Sequence, residues 1–177
     1  KLFNFVYYNF LFFFLYPLAK LLENFGYFGL HSSCAAINQK AVLFTGESGS
    51  GKSTSAFAMA SSGESIISDD LTFVKKKGSS FYANSLTRLV KLNEEALNDF
   101  FPQFLKYRLF KSDNNDIYFD KKYIVREING PIPLYAVCIL NKSGNILSDF
   151  KTVHPLKIVP HLFPSSINTN IENITKR

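Results

Sequence analysis

The stretch Gly46-Glu47-Ser48-Gly49-Ser50-Gly51-Lys52-Ser53-Thr54 decides the fold. It has the pattern of a phosphate-binding loop, in which a glycine and four further residues precede Gly-Lys-Ser. Glycines let the backbone turn where a β-carbon would clash, so that successive N–H groups converge on one anion. The helix that begins here adds the positive end of its dipole. We predict phosphate contacts from eight residues of this loop: Gly46, Ser48, Gly49, Ser50, Gly51, Lys52, Ser53 and Thr54.

The flanking sequence supports this interpretation. Residues 41–44 are a short apolar run typical of a buried strand, whereas residues 53–62 are rich in alanine and end at Gly63, as a helix would. The alternative is a serine- and glycine-rich linker that matches by chance. Such a linker would not lie between a strand and a helix. The context therefore favours a loop in which Lys52 meets the phosphates and the Ser53 hydroxyl binds Mg²⁺.

Two aspartates follow the next predicted strand. Residues 64–68 lead directly into Asp69-Asp70. An acidic pair delivered beside a phosphate loop is typical of a site in which one carboxylate holds Mg²⁺ and the other accepts a proton from an attacking hydroxyl. The alternative is a turn-forming pair before a strand at 71–74. The phosphate loop upstream favours the catalytic interpretation.

Composition sets the broad class. A chain of 177 residues is expected to form one main domain. The net charge of +6 is spread along the chain, which favours nucleotides and acidic partners without indicating nucleic acid. Cys34 and Cys138 lie in apolar runs, as buried thiols of a reducing, cytoplasmic compartment would. Because the sequence begins with Lys1 rather than methionine, we expect it to be part of a longer protein.

The first thirty residues are strongly aromatic. Residues 5–16 are rich in Phe and Tyr, Pro17 breaks the run, and residues 18–22 favour a helix. The run is shorter than the roughly 20 apolar residues of a membrane span and contains Asn9. We expect a helical segment that packs on the core and not one that contacts a membrane. Membrane association and an oligomer interface remain as alternatives.

Further local patterns predict the remaining elements. We expect a hairpin of strands 31–37 and 40–44, an aromatic turn between Gly26 and Gly29, and a helix capped by Asn93 that runs to about Phe101. Arg88 is either a contact to phosphate or substrate or an ordinary surface residue, and a lysine of the pair Lys121-Lys122 is either a γ-phosphate contact or a plain turn lysine. The other predicted features are a basic turn at 75–78, a strand at 80–83, a hairpin around Lys121-Lys122, a buried strand at 134–140, broken helix at 148–163 and a frayed tail from 165.

The chain resembles the HPr kinase/phosphorylase family over residues 28–76. The matching residues are His31-Ser32-Ser33, then residues 43–53 with the loop, then Ile67-Ser68-Asp69-Asp70. The resemblance implies a twisted mixed α/β fold shared with phosphoenolpyruvate carboxykinase, with the nucleotide on the loop. It also implies that His31, Lys52 and Asp70 are catalytic, with Asp70 as the proton acceptor, and that Ser53 and Asp69 bind Mg²⁺. A hydrogen-bonded strand-end residue is the alternative for His31.

The sequence departs from the bacterial HPr kinases downstream. Their long Glu-, Arg- and Gly-rich signature is absent, so the counterparts of their second metal-binding glutamate and catalytic arginine are only candidates. The chain looks more like shorter relatives, some of which phosphorylate a serine of a precursor peptide. The candidates are Glu94, Glu95, Arg88 and Arg126.

Taken together, the sequence predicts an ATP- and Mg²⁺-dependent kinase that phosphorylates a serine hydroxyl of a protein or peptide. The expected organisation is an N-terminal segment 1–30, a kinase domain 31–164 and a tail 165–177, with a homo-oligomer possible. Two alternatives stay open. One is a nucleotide-binding or sensor module without catalysis. The other is a kinase of small hydroxyl compounds that uses the same site.

Overall fold

The computed structural model describes residues 11–126, 128, 130–141 and 151–154. A π-helical turn at Leu11–Leu15 leads into helix α1. The helices are α1 (Tyr16–Glu23), α2 (Lys52–Ser61) and α3 (Glu94–Phe100), with short 3₁₀ segments at Pro102–Tyr107 and Lys121–Tyr123. The strands are β1 (Tyr27–Leu30), β2 (Ser33–Ile37), β3 (Lys40–Gly46), β4 (Ser65–Ser68), β5 (Thr72–Lys77), β6 (Ser80–Asn84), β7 (Leu89–Asn93), β8 (Phe110–Lys111), β9 (Asp116–Asp120) and β10 (Ile132–Leu140).

Seven of the described strands form one mixed sheet in the order β1-β5-β6-β10-β3-β2-β4. Strands β10 and β3 are parallel, and the other neighbouring pairs in this sheet are antiparallel. The predicted α/β class with a mixed sheet is therefore confirmed. Strand β3 lies inside this sheet, so the loop that follows it starts from a fixed position.

The predicted hairpin before the loop is confirmed. Strands β2 and β3 pair from Ser33 with Phe44 to Ile37 with Lys40. Asn38 and Gln39 connect them with φ values of 49° and 61°, as a two-residue type I′ turn requires. The loop then leads into α2, which ends at Ser61, two residues before Gly63 with its φ of +87°.

A second sheet, the small sheet, covers helix α2. Strands β7, β9 and β8 form it, all antiparallel. Phe57 of α2 is fully buried, and its ring centroid lies 5.5 to 6.2 Å from those of Phe101, Phe104 and Phe119. The helix that carries the phosphate loop is thus held between the two sheets.

Several local predictions are wrong, and long-range pairing explains most of them. The expected aromatic turn at 26–29 is instead strand β1, because residues Tyr27–Leu30 pair with β5. The basic segment 75–78 does form the end of a hairpin, as expected, but Lys75, Lys76 and Lys77 belong to β5 and the turn itself is confined to residues 78–79. Strand β9 pairs with β7, so the hairpin around Lys121-Lys122 does not form. There the Asp120 carboxylate accepts the Lys122 N–H at 3.1 Å and turns the chain into a 3₁₀ segment.

Other predictions hold in part or lie outside the described residues. Asn93 caps α3 by accepting the Glu95 N–H at 3.0 Å, as expected. Strand β10 is found, but most of it is half-buried rather than buried. The predictions for residues 1–10, for most of 148–163 and for the tail 165–177 fall outside the described residues. Within the described ranges, no helix combines the length and apolarity needed to cross a membrane.

We expect Phe57→Ala to lower the free energy of unfolding by about 3–5 kcal/mol, because it leaves a cavity between the two sheets. The matched control is Phe100→Ala, whose ring is 66% exposed. Its effect should stay within about 0.5 kcal/mol. Chemical denaturation of both variants measures the difference, and equal losses would contradict this account of the core.

Candidate functional site

The phosphate loop is shaped by a close contact with strand β10. A β-carbon placed on Gly46 would lie 2.4 Å from the Leu140 carbonyl oxygen and 2.8 Å from Ser50 Oγ. Gly46 also has φ +144°, where side chains are disfavoured. Only glycine therefore fits where β3 ends beside β10.

Lys52 and Ser50 both point towards the loop itself. The Lys52 ammonium donates to the carbonyl oxygens of Gly46 at 3.0 Å and Glu47 at 2.9 Å. The Ser50 hydroxyl is buried and has no hydrogen-bond partner among the described residues. Gly46 and Ser50 thus shape the loop rather than line the cleft beside it. Six of the eight predicted loop residues do line that cleft: Ser48, Gly49, Gly51, Lys52, Ser53 and Thr54.

Asp69 is buried at the base of the site and accepts three hydrogen bonds. Its Oδ1 accepts from Ser33 Oγ at 2.6 Å and from Ser53 Oγ at 2.8 Å. Its Oδ2 accepts from the Lys91 backbone N–H at 3.0 Å. The two predicted metal-binding residues, Ser53 and Asp69, are therefore in direct contact.

A buried hydroxyl network joins the segment after His31 to the segment after Asp70. Ser32 Oγ donates to Thr72 Oγ1 at 2.8 Å, and the Thr72 hydroxyl lies 3.1 Å from the Ser32 carbonyl oxygen. Ser68 Oγ is 2.7 Å from the same Thr72 oxygen. This network fixes His31 and Asp70 on one side of the cleft.

Asp70 occupies the centre of a strained turn. The Leu71 N–H donates to the Asp69 carbonyl oxygen at 2.8 Å, and Asp70 between them has φ +64°. This combination is that of a γ-turn with positive φ, which is rare and strained. The turn directs the Asp70 side chain into the cleft, where its Oδ1 lies 3.9 Å from His31 Nε2. The structure thus brings His31, Lys52 and Asp70 to one cleft.

Lys91 is a site residue that the sequence reasoning missed. Its ammonium lies 2.7 Å from Asp70 Oδ2 and 3.4 Å from Asp116 Oδ2, and the side chain is 26% exposed in the cleft. The available signal was a single charge between apolar neighbours, Val90 and Leu92. Lys91 therefore binds the aspartate pair twice, through its backbone to Asp69 and through its side chain to Asp70.

Burial and charge shift the pKa values of the groups in the cleft. Burial raises the pKa of Asp69 to about 6, helped by the charge of Asp70 and opposed by the three hydrogen bonds. Desolvation lowers the pKa of His31 despite the opposing charge of Asp70, so its imidazole is neutral at neutral pH. Burial also lowers the pKa of Lys52. For Lys91 burial is the largest single effect and acts in the same direction, but the charge and hydrogen bond of Asp70, together with Tyr118 and Asp116, outweigh it and hold the pKa above its ordinary value.

Glu94 and Glu95, the acidic candidates for further catalytic residues, both lie on α3 but only one of them faces the cleft. Glu95 lines the cleft with the loop. Glu94 instead pairs with Lys111 at 2.6 Å and is not among the residues that line it. Among the described residues, no group of three or more His, Cys, Asp or Glu side chains is arranged to hold a metal ion.

The basic candidates lie outside the cleft that the phosphate loop lines. Arg88 pairs with Asp120 at 3.5 Å, and the Lys121 ammonium donates to the Ile67 carbonyl oxygen. Together with Arg126, they line a separate pocket behind β4. The hypothesis that Arg88 or Lys121 reaches the phosphates on the loop is therefore not supported by their positions.

Comparisons with known proteins give similarity at the level of the fold. No family model matches the chain, and no curated protein matches it. The structure is similar to the HPr(Ser) kinase/phosphatase from Coxiella burnetii, with a TM-score of 0.44 and 19% sequence identity over 72% of this chain and 71% of that chain. The function proposed below therefore rests on the side chains of the cleft.

We expect the stability of the protein to depend on the ionisation of Asp69. Because its folded pKa is raised, its contribution is complete below the unfolded value of 3.8 and is lost as the pH rises through about 6. Asp69→Asn cannot ionise. The unfolding free energy of this variant relative to wild type should rise by roughly 2.5 kcal/mol between about pH 4 and about pH 7.5. Urea denaturation across this range measures it, and a difference independent of pH would refute the assignment.

The strain at Asp70 can be measured by comparing two substitutions that both remove the carboxylate. Asp70→Gly should be more stable than Asp70→Ala by about 1 kcal/mol, because only glycine adopts positive φ without a steric cost. Thermal denaturation of the two variants gives the difference. Equal stability would mean that the backbone at this position is not strained.

Proposed function

We propose that this chain is an ATP-dependent kinase that transfers the γ-phosphoryl group to a hydroxyl, that of a serine in a protein or peptide. The observation that carries the proposal is the joining of the loop to the aspartate pair. Ser53 of the loop helix is hydrogen-bonded to Asp69 at 2.8 Å, and the next residue, Asp70, projects into the cleft that the loop lines. A phosphate-binding loop beside a projecting carboxylate suits phosphoryl transfer.

The donor set at the base of the cleft fits Mg²⁺. The Ser53 hydroxyl and the Asp69 carboxylate are hard oxygen ligands, and Mg²⁺ typically takes only one or two protein oxygens alongside phosphates and water. The absence of a larger acidic cluster among the described residues agrees with such sparse ligation. We assign the ion to Ser53 and Asp69, where it would neutralise negative charge on the β- and γ-phosphates.

The residues of the cleft then have distinct tasks in the reaction. The loop amides and Lys52 hold the phosphates, which requires the Lys52 ammonium to turn from the carbonyl oxygens of Gly46 and Glu47. The acceptor oxygen bonds to the γ-phosphorus as the bond from that phosphorus to the β–γ bridging oxygen breaks, and ADP leaves. The hydroxyl proton passes to Asp70. The neutral His31 faces the same space and would contact the acceptor.

A second candidate is a nucleotide-binding module without turnover. The observation that favours it is the ion pair between Lys91 and Asp70 at 2.7 Å, which occupies the carboxylate that should accept the proton. Both candidates require nucleotide binding, and only the kinase requires a free Asp70.

We expect Asp70→Asn to reduce phosphoryl transfer by at least about 100-fold while nucleotide binding is retained, because a general base contributes this much. The assay follows ATP consumption with Mg²⁺, with and without a pool of serine-containing peptides. Lys52→Ala provides the blank. Transfer that persists in Asp70→Asn would refute the role of Asp70. Nucleotide binding without any transfer in the wild type would favour the module without turnover.

A screen of free serine and small hydroxyl compounds beside the peptide pool tests the acceptor class. Turnover that depends on peptides supports the proposal. Turnover with small compounds alone would overturn the peptide assignment and leave the kinase site in place.

A further inference from the structure

The ion pair between Lys91 and Asp70 raises a question that the proposed function leaves open. A carboxylate held at 2.7 Å by an ammonium group is poorly placed to accept a proton from an acceptor hydroxyl. The pair cannot be dismissed as a surface contact, because the Lys91 side chain is largely buried and lies in the same cleft as Lys52 and Ser53. Lys91 must therefore have another partner during the reaction, or Asp70 is not the proton acceptor.

We propose that Lys91 exchanges Asp70 for the γ-phosphate when ATP binds, and so frees Asp70 only once the nucleotide is in place. This inference rests on the proposed function. It assigns Lys91 as a second phosphate-binding cation, supplied by the small sheet rather than by the loop.

The geometry around the ammonium supports such an exchange. Lys91 has two carboxylate partners, Asp70 at 2.7 Å and Asp116 at 3.4 Å, while an ammonium group has three donors. Asp116 belongs to β9, the strand that pairs with β7, and the two residues are close to one another in that ladder. The ammonium can therefore turn away from Asp70 and remain held at the cleft by Asp116.

The electrostatics favour the phosphate over the carboxylate. A terminal phosphate carries more negative charge than one carboxylate and presents three strong acceptor oxygens. The Lys91 side chain stays charged, since the two carboxylates raise its pKa above the ordinary value. Moving the ammonium to the γ-phosphate would also leave the Asp70 oxygen open to the acceptor hydroxyl.

Nucleotide affinity tests whether Lys91 binds the γ-phosphate, and the measurement does not require turnover. We expect Lys91→Met to weaken ATP binding by at least about tenfold and to leave ADP binding within about twofold, because ADP has no γ-phosphate to lose the charge-assisted contact. Lys91→Arg should restore most of the ATP affinity. Isothermal titration with Mg²⁺ and each nucleotide provides the values. The matched control is Lys111→Met, which removes a lysine paired with Glu94 outside the cleft and should change neither affinity.

The outcomes separate this inference from the proposed function. Equal loss of ATP and ADP affinity in Lys91→Met would show a merely structural lysine and overturn the inference, as would no change in either. Retained ADP binding also shows that the variant is folded. If the wild type discriminates ATP through Lys91 but transfers no phosphoryl group, the inference stands and the kinase proposal fails. If the wild type binds neither nucleotide, both fail.

Discussion

The site depends on one buried carboxylate. Asp69 accepts hydrogen bonds from β2 through Ser33, from α2 through Ser53 and from β7 through the Lys91 backbone. A buried anion is costly unless it is hydrogen-bonded, so the three donors are what allow it to stay. Through these three hydrogen bonds, Asp69 connects the hairpin before the loop, the helix after the loop and the small sheet.

The small sheet contributes more than a cover for the core. It packs Phe119 against Phe57 of the loop helix, and it places Lys91 and Asp116 at the cleft. The strained turn at Asp70 faces the same cleft and is held by the hydroxyl network around Thr72. The cleft therefore lies where the phosphate loop, a strained aspartate and a cation from the small sheet meet. Backbone strain of this kind persists only where the surrounding structure holds it.

Local signals made part of this structure predictable from the sequence. The loop glycines, the turn at Asn38-Gln39 and the cap at Asn93 act through their own backbone, so their patterns are read directly. The partners of Lys91, in contrast, have no local sequence pattern and depend on long-range strand pairing. The contact between Asp69 and Lys91 spans 22 residues and depends on which strand β7 pairs with. The same reason explains why Tyr27–Leu30 forms a strand rather than the expected turn. It also explains why the sequence leaves open whether Arg88 and Lys121 reach the phosphates, when both line the pocket behind β4.

The most direct test of the central claim is a crystal structure of the protein with Mg²⁺ and a non-hydrolysable ATP analogue. The account predicts the triphosphate on the loop between Ser48 and Thr54, the metal against Ser53 and Asp69, and the γ-phosphate facing Asp70. A nucleotide bound elsewhere, such as in the basic pocket behind β4, would contradict it. So would a loop that stays free of phosphate at saturating analogue.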